Sequence, residues 1–248
     1  MESLKKYDSK PDLNKPLLIE CLPGIGNVGK TAGDFLAEAV GAVKFLSIYS
    51  KHFLPQVIPD KDSVIEMASN ELWFVKNVKK RDIIFLRGNY QGSTQEGQFE
   101  LCREILDICL EYDISGIITL GGYGTGTMVD KPRVLGAVSE LSLKEEYTKF
   151  GVQFVPEDPQ AGIIGASGVL IGMGKIYGIP SICLMGETSG YFIDHKSAMA
   201  LVKVLCKKLK IKIDVQALKE KSEQIDEFTA KVKEFEDRNE HEDLGYYG

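Results

Sequence analysis

The chain has 248 residues, 44% hydrophobic and 27% charged, which is ordinary for a globular protein with one large α/β domain or two small ones. No run approaches the ~18–20 apolar residues of a membrane span, and residues 1–15 lack a signal peptide's apolar core, so we expect a cytoplasmic protein without membrane contact. Residues 214–248 hold 11 of 36 acidic and 5 of 30 basic residues, so the body is neutral, which argues against nucleic-acid binding.

Apolar runs alternate with helical patterns along most of the chain. In chain order they predict a strand at 17–22, a helix at 30–40, a strand at 43–49, a hairpin at 62–75, a strand at 82–87, a helix at 94–111, strands at 116–120, 133–138 and 152–155, a helix at 162–177, a strand at 179–184 and a helix at 196–209. This alternation is typical of a three-layer α/β/α fold with a mixed or mostly parallel sheet.

The composition changes near residue 214. Apolar side chains then recur every seven residues, as Leu218, Ile225 and Val232 and, on the neighbouring position, Phe228 and Phe235. The pattern predicts an acidic amphipathic helix at 214–239, followed by a projecting tail at 240–248. The expected organisation is an N-terminal extension at 1–16, an α/β domain at 17–213, this helix and the tail.

A glycine-rich loop follows the first strand. Residues 24–29 match G-x-G-x-x-G, and residues 24–31 also match the phosphate-binding pattern G-x-x-x-x-G-K-[ST], with Gly24, Gly29, Lys30 and Thr31 at its defining positions. An acidic residue to position magnesium is expected at another strand end, where only Glu187 is available. The loop therefore leaves two interpretations open: a nucleotide-binding site, or a tight turn that needs glycines for close packing.

Other chemical signals are weaker. The histidines His52, His195 and His241 lack metal-ligand spacing, so no metal site is predicted. Glycine-rich strand exits at 121–126 and 162–174 are compatible with a small-molecule site at one sheet edge or with compact turns, and Ala166-Ser167-Gly168 only partly matches a nucleophile elbow. No catalytic residue and no cofactor are assigned. The cysteines are predicted to be buried free thiols: Cys21, Cys102, Cys109, Cys183 and Cys206.

The last three residues, Tyr246, Tyr247 and Gly248, combine a hydrophobic residue, a tyrosine and a terminal carboxylate. A terminal carboxylate can pair with a cationic group or a nest of backbone N–H groups, and a tyrosine adds a rigid aromatic body with a polar tip. The arrangement resembles the HbYX tail with which proteasome activators and assembly factors dock onto the proteasome α-ring.

Several segments together resemble the proteasome assembly chaperone family. The opening at 22–29 is similar to its P-G-x-G-x-V-G pattern, and residues 121–123, 162–170 and 179–188 follow in the same order. The resemblance covers about residues 17–209. It implies an archaeal-type homologue with a phosphorylase/hydrolase-like α/β fold, which forms homo-oligomers and engages 20S α-subunits through its tail. It also implies that the glycine loops are scaffold.

These observations predict a non-enzymatic proteasome assembly chaperone or adaptor that docks through Tyr246, Tyr247 and Gly248. The tail departs from this pattern at Gly248, because a glycine adds no side-chain contact at the docking end. The alternative is a nucleotide-dependent ligase or a phosphorylase/hydrolase-like enzyme that uses the loop at 24–31.

Overall fold

The computed structural model of the chain describes residues 3–154, 162–220 and 223. The strands are β1 (Leu4–Tyr7), β2 (Leu17–Glu20), β3 (Val43–Tyr49), β4 (Val57–Pro59), β5 (Ile65–Met67), β6 (Asn70–Val75), β7 (Ile83–Gly88), β8 (Gly116–Gly124), β9 (Val134–Val138), β10 (Val152–Gln153) and β11 (Ser181–Thr188). The α-helices are α1 (Val28–Ala39), α2 (Gln95–Leu110), α3 (Leu141–Thr148), α4 (Gly165–Ile176) and α5 (His195–Leu209).

Nine strands form one mixed sheet in the order β1-β3-β6-β7-β2-β8-β11-β9-β10. The central strands β7, β2, β8 and β11 are parallel to one another, and Leu18 of β2 lies between Ile84 of β7 and Ile117 of β8. On the two sides, β6 runs antiparallel to β7, and β9 runs antiparallel to β11. The predicted mixed sheet is thereby confirmed.

Two pairs of helices cover the two faces of this sheet. Helices α1 and α5 pack against each other, and α2 packs against α4. Glu20 reaches the hydroxyl of Ser167 on α4, whereas the next residue, Cys21, lies against Gly33 of α1. Since successive residues of an extended chain point to opposite faces, the helix pairs lie on opposite sides, which confirms the three-layer α/β/α fold.

The core explains why these segments form these elements. All four residues of β2 are buried, as expected of a central strand covered on both faces. Buried apolar side chains of the sheet and of α2 and α4 form one cluster, which includes Leu18, Leu72, Ile84, Leu106 and Leu170. Helix α2 begins after Thr94, whose hydroxyl accepts a hydrogen bond from the Gly97 N–H at 3.0 Å.

The thiols also follow the prediction. Cys21, Cys102, Cys109 and Cys183 are buried and free, and Cys206 is free and half-buried. Burial raises the pKa of the Cys102 thiol to about 12, although a hydrogen bond from Gln98 opposes the shift. These cysteines therefore act as small apolar core residues.

The predicted hairpin at 62–75 is wrong. β5 pairs with the preceding β4 through Ile58 and Glu66, whereas β6 lies between β3 and β7 in the main sheet. The alternating pattern of this segment thus spans strands of two separate sheets. Three elements escaped prediction: β1 and β4, whose residues are all exposed, and α3, in which Tyr147 is the one buried residue. None of them carries the apolar periodicity on which the predictions rest.

The chain divides into two compact units after Ile213. In the second unit, residues 216–220 and 223 are helical, and the Asp214 carboxylate accepts a hydrogen bond from the Gln216 N–H at 2.9 Å. The rest of the helix predicted at 214–239, and the tail at 240–248, lie outside the described residues. Within the described ranges, no helix is both long and apolar enough to span a bilayer.

Candidate functional site

The carboxyl ends of the four central parallel strands meet at one edge of the sheet, which is where open α/β folds bind ligands. The glycine-rich loop lies at this edge, between β2 and α1. It contains a 3-10 turn at Ile25–Asn27, and Gly26 and Asn27 have φ of 59° and 48°. The left-handed conformation at Gly26 suits glycine, which pays no Cβ penalty there.

The loop is closely packed against the neighbouring strands. A Cβ at Gly26 would lie 2.7 Å from the Thr188 Oγ1 at the end of β11, and a Cβ at Gly29 would lie 2.1 Å from the Leu120 carbonyl oxygen on β8. The Gly26 carbonyl oxygen accepts a hydrogen bond from the Asp194 N–H at 2.9 Å. The glycines thus let the loop and the start of α1 approach β8 and β11 closely.

Lys30 does not extend over this loop. Its Nζ lies 2.7 Å from the Asp34 Oδ2 one turn along α1, and the Arg87 Nε lies 2.7 Å from the other oxygen of Asp34. Arg87 also stacks over the ring of Trp73 at 4.5 Å. In a phosphate-binding loop the lysine reaches back to the phosphates, but here Lys30 belongs to an ion-pair network between α1 and the end of β7. Thr31 is half-buried beside it.

A cavity of about 490 Å³ lies beside this network. Its walls come from α1, the start of β6, the end of β7 and the β4–β5 pair, and they include Lys30, Asp34, Ile58, Trp73 and Arg87. Both cations of this set are already paired with Asp34. Lys30 and Arg87 can therefore bind an anion in the cavity only after these ion pairs break. Breaking the ion pairs of a partly buried network costs free energy.

Glu187, the acidic residue considered for magnesium, is held by Arg133 instead. The Arg133 Nε donates to its Oε1 at 2.8 Å, the Arg133 backbone N–H donates to Oε2 at 2.9 Å, and the guanidinium Nη2 contacts Oε1 as well. Hydrogen bonding from Arg133 lowers the pKa of the Glu187 carboxyl despite its burial. Both oxygens are therefore occupied in tying β11 to the start of β9.

One chemically unusual residue was missed at the sequence level. Glu20, at the end of β2, is fully buried, and its carboxyl group accepts hydrogen bonds from the Leu22 N–H at 2.9 Å and the Ser167 hydroxyl at 2.8 Å. Burial raises its pKa to about 7, and these hydrogen bonds oppose the shift. The signal was available: Glu20 is the one charged residue in the apolar run at 17–22.

Ser167 is turned toward the sheet interior by that contact. It lies in the first turn of α4, and the neighbouring Ala166 N–H donates to the Gln91 Oε1 at 2.9 Å. Gln91 in turn donates to the Pro23 carbonyl oxygen at 2.6 Å. These contacts connect the start of α4, the β7–α2 loop and the glycine-rich loop into one hydrogen-bonded edge.

Two of the three histidines, His52 and His195, lie within the described residues. The His52 Nε2 lies 2.6 Å from the Glu100 carboxylate, and His195 begins α5 beside its cap Asp194. Among residues 3–154, 162–220 and 223, no cluster of three or more His, Cys, Asp or Glu is placed to hold a metal ion. His241 and the tail residues Tyr246, Tyr247 and Gly248 lie outside the described residues.

The chain is similar to known proteins both in sequence and in fold. The chain is 35% identical to the uncharacterized protein MJ1210 of Methanocaldococcus jannaschii over 98% of this chain and 96% of that one. Its fold matches the crystal structure of Pyrococcus furiosus PbaB, described as an archaeal proteasome activator, with a TM-score of 0.88 and 37% identity over 94% of this chain and 99% of PbaB.

A second solved structure shows the same fold at lower identity. Pyrococcus furiosus PbaA, described as an archaeal homolog of proteasome-assembly chaperone, matches with a TM-score of 0.78 and 24% identity over 96% of this chain and 95% of PbaA. The family model of the PAC2 family matches residues 18–233. The resemblance to proteasome assembly chaperones found in the sequence is confirmed, and the chain belongs to the PAC2 family.

Proposed function

We propose that this protein is a non-enzymatic proteasome assembly chaperone or proteasome-binding adaptor of the cytoplasm, and that it docks on the 20S α-ring. The observation that carries this proposal is the likeness to PbaB, an archaeal proteasome activator, at 37% identity over nearly the full length of both chains. A shared fold alone would not support a function, but here the sequence identity accompanies the fold over 94% of this chain.

The docking element of the proposal is the C-terminal tail. Tyr246 and Tyr247 insert their rings between adjacent α-subunits, and the Gly248 carboxylate pairs with a cationic group in the same pocket. The acidic amphipathic segment at 214–239 holds the tail away from the α/β body. Because Gly248 has no side chain, the contacts of the last three residues come from the two tyrosine rings and the terminal carboxylate.

One tail of three residues binds weakly, so the proposal includes a homo-oligomer. Several tails on one particle bind the same ring, and each later contact gains from an effective concentration in the millimolar range. Such a particle holds the ring far more tightly than a single chain does.

The geometry of the glycine-rich loop supports the scaffold interpretation over the nucleotide-dependent enzyme. Gly26 and Gly29 are packed against β11 and β8, and Lys30 is paired with Asp34 away from the loop. Glu187, the candidate for a magnesium ligand, is bound through both oxygens by Arg133. A ligase or hydrolase that uses residues 24–31 would need all three arrangements to change.

Capture of 20S particles by the immobilised full-length protein tests the proposal. We expect Tyr247→Ala and deletion of residues 246–248 to abolish capture, since each removes an anchoring group of the tail. Gly248→Ala is the matched control and should capture 20S as well as the parent, because it keeps both rings and the terminal carboxylate.

A further variant tests the carboxylate itself. Appending a few residues after Gly248 leaves every native side chain in place but moves the terminal charge, so we expect capture to be lost. Undiminished capture by this extended chain, or by the chain that lacks residues 246–248, would show that the tail is not the docking element.

A further inference from the structure

The loop between β6 and β7 concentrates positive charge on the surface. Residues 76–81, which we call the basic loop, include Lys76, Lys79, Lys80 and Arg81 and no acidic residue. All four of these residues are exposed. In the part of the chain that the structure describes, none of them forms an ion pair with a carboxylate. The loop therefore presents four cations whose charge is not neutralised by a neighbour.

The backbone of the basic loop is held in a defined conformation. The buried Asp82 carboxylate accepts hydrogen bonds from the Asn77 N–H at 2.9 Å and from the Asn14 N–H at 2.8 Å. The Arg81 N–H donates to the Val78 carbonyl oxygen at 3.2 Å, which closes a turn. These hydrogen bonds fix the positions from which the lysine side chains extend.

The turn inside the loop has two lysines where other residues are favoured. Lys79 and Lys80 are its central residues, with φ of 52° and 66°. A turn with positive φ at both central positions is of the type I′ class, which favours Asn-Gly or Asp-Gly because most other side chains are strained there. Backbone strain of this kind concentrates at sites that bind ligands, so the two lysines point to a binding role.

The same turn presents backbone donors. The N–H groups of Val78, Lys79 and Lys80 have no acceptor among the described residues. Successive N–H groups in turn conformations make anion-binding sites, and carboxylates are bound in this way. The backbone and the side chains of the basic loop therefore suit the same class of ligand, an oxyanion.

The cavity beside the loop argues against a compact anion with two charges. Its volume is about 240 Å³, and Lys76 and Lys80 line it together with Asp12 and Asp82. The carboxylates of these two aspartates would repel a phosphate group placed between the lysines. A free phosphate is therefore a poor ligand for this cavity.

The other two cations lie outside that cavity. Arg81 lines a different cavity, at the amino ends of β2 and β8, and Lys79 lines neither of the two. Cations distributed around a turn can each meet a separate carboxylate of an extended acidic chain. A single phosphate group reaches only some of them.

Two larger polyanions also fit the loop less well. Duplex nucleic acid carries one charge per ~1.7 Å and would extend beyond the loop, over a chain whose net charge is −6. Binding to an anionic membrane is strengthened by apolar side chains that enter the lipid, but Val78, the one apolar residue of the loop, is half-buried. A short acidic peptide contacts the loop alone.

We propose that the basic loop binds an acidic segment of a partner polypeptide, whose carboxylates pair with the lysines and accept hydrogen bonds from the N–H groups of the turn. The loop precedes β7, so this site lies at the amino edge of the central strands, away from the glycine-rich loop. It goes beyond the proposed function, because it does not involve residues 246–248. Salt weakens pairing between exposed charges, so the binding is salt-dependent.

Fluorescence anisotropy of a labelled hexaglutamate peptide, titrated with the full-length protein, tests the proposal. The informative variant combines Lys79→Asn with Lys80→Gly, because it removes two cations and introduces the sequence that the turn favours. We expect its affinity for the peptide to be about fivefold lower than that of the parent, since two exposed ion pairs are lost. Its melting temperature should be at least equal to that of the parent, which separates a loss of binding from a loss of folding.

The control combines Lys175→Gln with Lys203→Gln, which changes two exposed lysines of α4 and α5 and alters the net charge equally. It should bind the peptide as the parent does, and so should the chain that lacks residues 246–248. Undiminished binding by the variant with Asn and Gly at positions 79 and 80, or an equal loss in the control, would overturn the proposal. Displacement of the peptide by inorganic phosphate, a DNA duplex or phosphatidylserine vesicles at lower concentration than by unlabelled hexaglutamate would also overturn it.

Discussion

Glu20 shows how one residue connects the pH of the solution to the stability of the sheet. Its carboxyl group is enclosed between β2 and the start of α4, and burial raises its pKa from an ordinary 4.5 to about 7. The folded protein therefore retains a proton there that the unfolded chain releases between these two values. Ionisation of Glu20 therefore lowers the free energy of unfolding. This loss of stability is absent below pH 4.5, grows as the pH rises, and is complete above about pH 7.

We predict that Glu20→Gln flattens this dependence. An amide cannot ionise, and it can still accept from the Leu22 N–H and donate to the Ser167 hydroxyl oxygen. At pH 8 the variant should be more stable than the parent by on the order of 3 kcal/mol at most, and the difference should shrink toward pH 5. Urea unfolding of both proteins at the two pH values measures it.

The control for this prediction is Glu145→Gln, which changes an exposed glutamate of α3. Its free energy of unfolding should follow the parent at both pH values. If Glu20→Gln loses stability between pH 5 and pH 8 to the same extent as the parent, Glu20 is not the titrating group.

At the scale of elements, the glycine-rich loop and α1 form a close contact with the sheet. A Cβ at Gly29 would meet a backbone oxygen of β8, whereas Gly24 has nothing within 4 Å of the corresponding position and is extended with φ of −155°. Gly29 is therefore needed for close packing and Gly24 is not, although the sequence pattern treats both positions alike.

We predict that Gly29→Ala destabilises the protein by about 1–3 kcal/mol, because α1 must move away from β8 to admit the methyl group. Gly24→Ala should change stability by less than about 0.5 kcal/mol, as expected of an unpacked surface position. Chemical denaturation compares the two variants. Equal effects of the two substitutions would contradict the assignment of the loop as a packing device.

At the scale of the whole molecule, the proposed docking depends on how many tails one particle presents. A free peptide of residues 240–248 presents the same anchoring groups, but singly. We predict that this peptide binds 20S on the order of 100-fold more weakly than the full-length protein, since the gain from effective concentration is lost. Surface plasmon resonance with immobilised 20S particles measures both affinities, and the same peptide with Tyr247→Ala serves as the control.

Equal affinity of the peptide and the full-length protein would contradict this dependence, because a single tail would then account for the whole of the binding.

Local patterns determined much of the fold in advance. The buried run at 17–22, the glycine turn and the amphipathic stretch at 94–111 each predict an element from neighbouring residues, and β2, α1 and α2 confirm them. The family was also recognisable, because its glycine segments occur in a set order along the chain. In each case the information lies within one turn, one strand or one motif.

Contacts between distant residues required the tertiary structure. Glu20 meets Ser167, 147 positions away, and Glu187 meets Arg133, 54 positions away. The direction of Lys30 depends on Asp34 and on Arg87 from another strand. The sequence by itself determined the elements and the family, because hydrophobic periodicity and turn chemistry act over a few residues. Tertiary structure alone decided the strand order, the exposed hairpin and the role of each charged group, because burial and pairing depend on which distant segments the fold brings together.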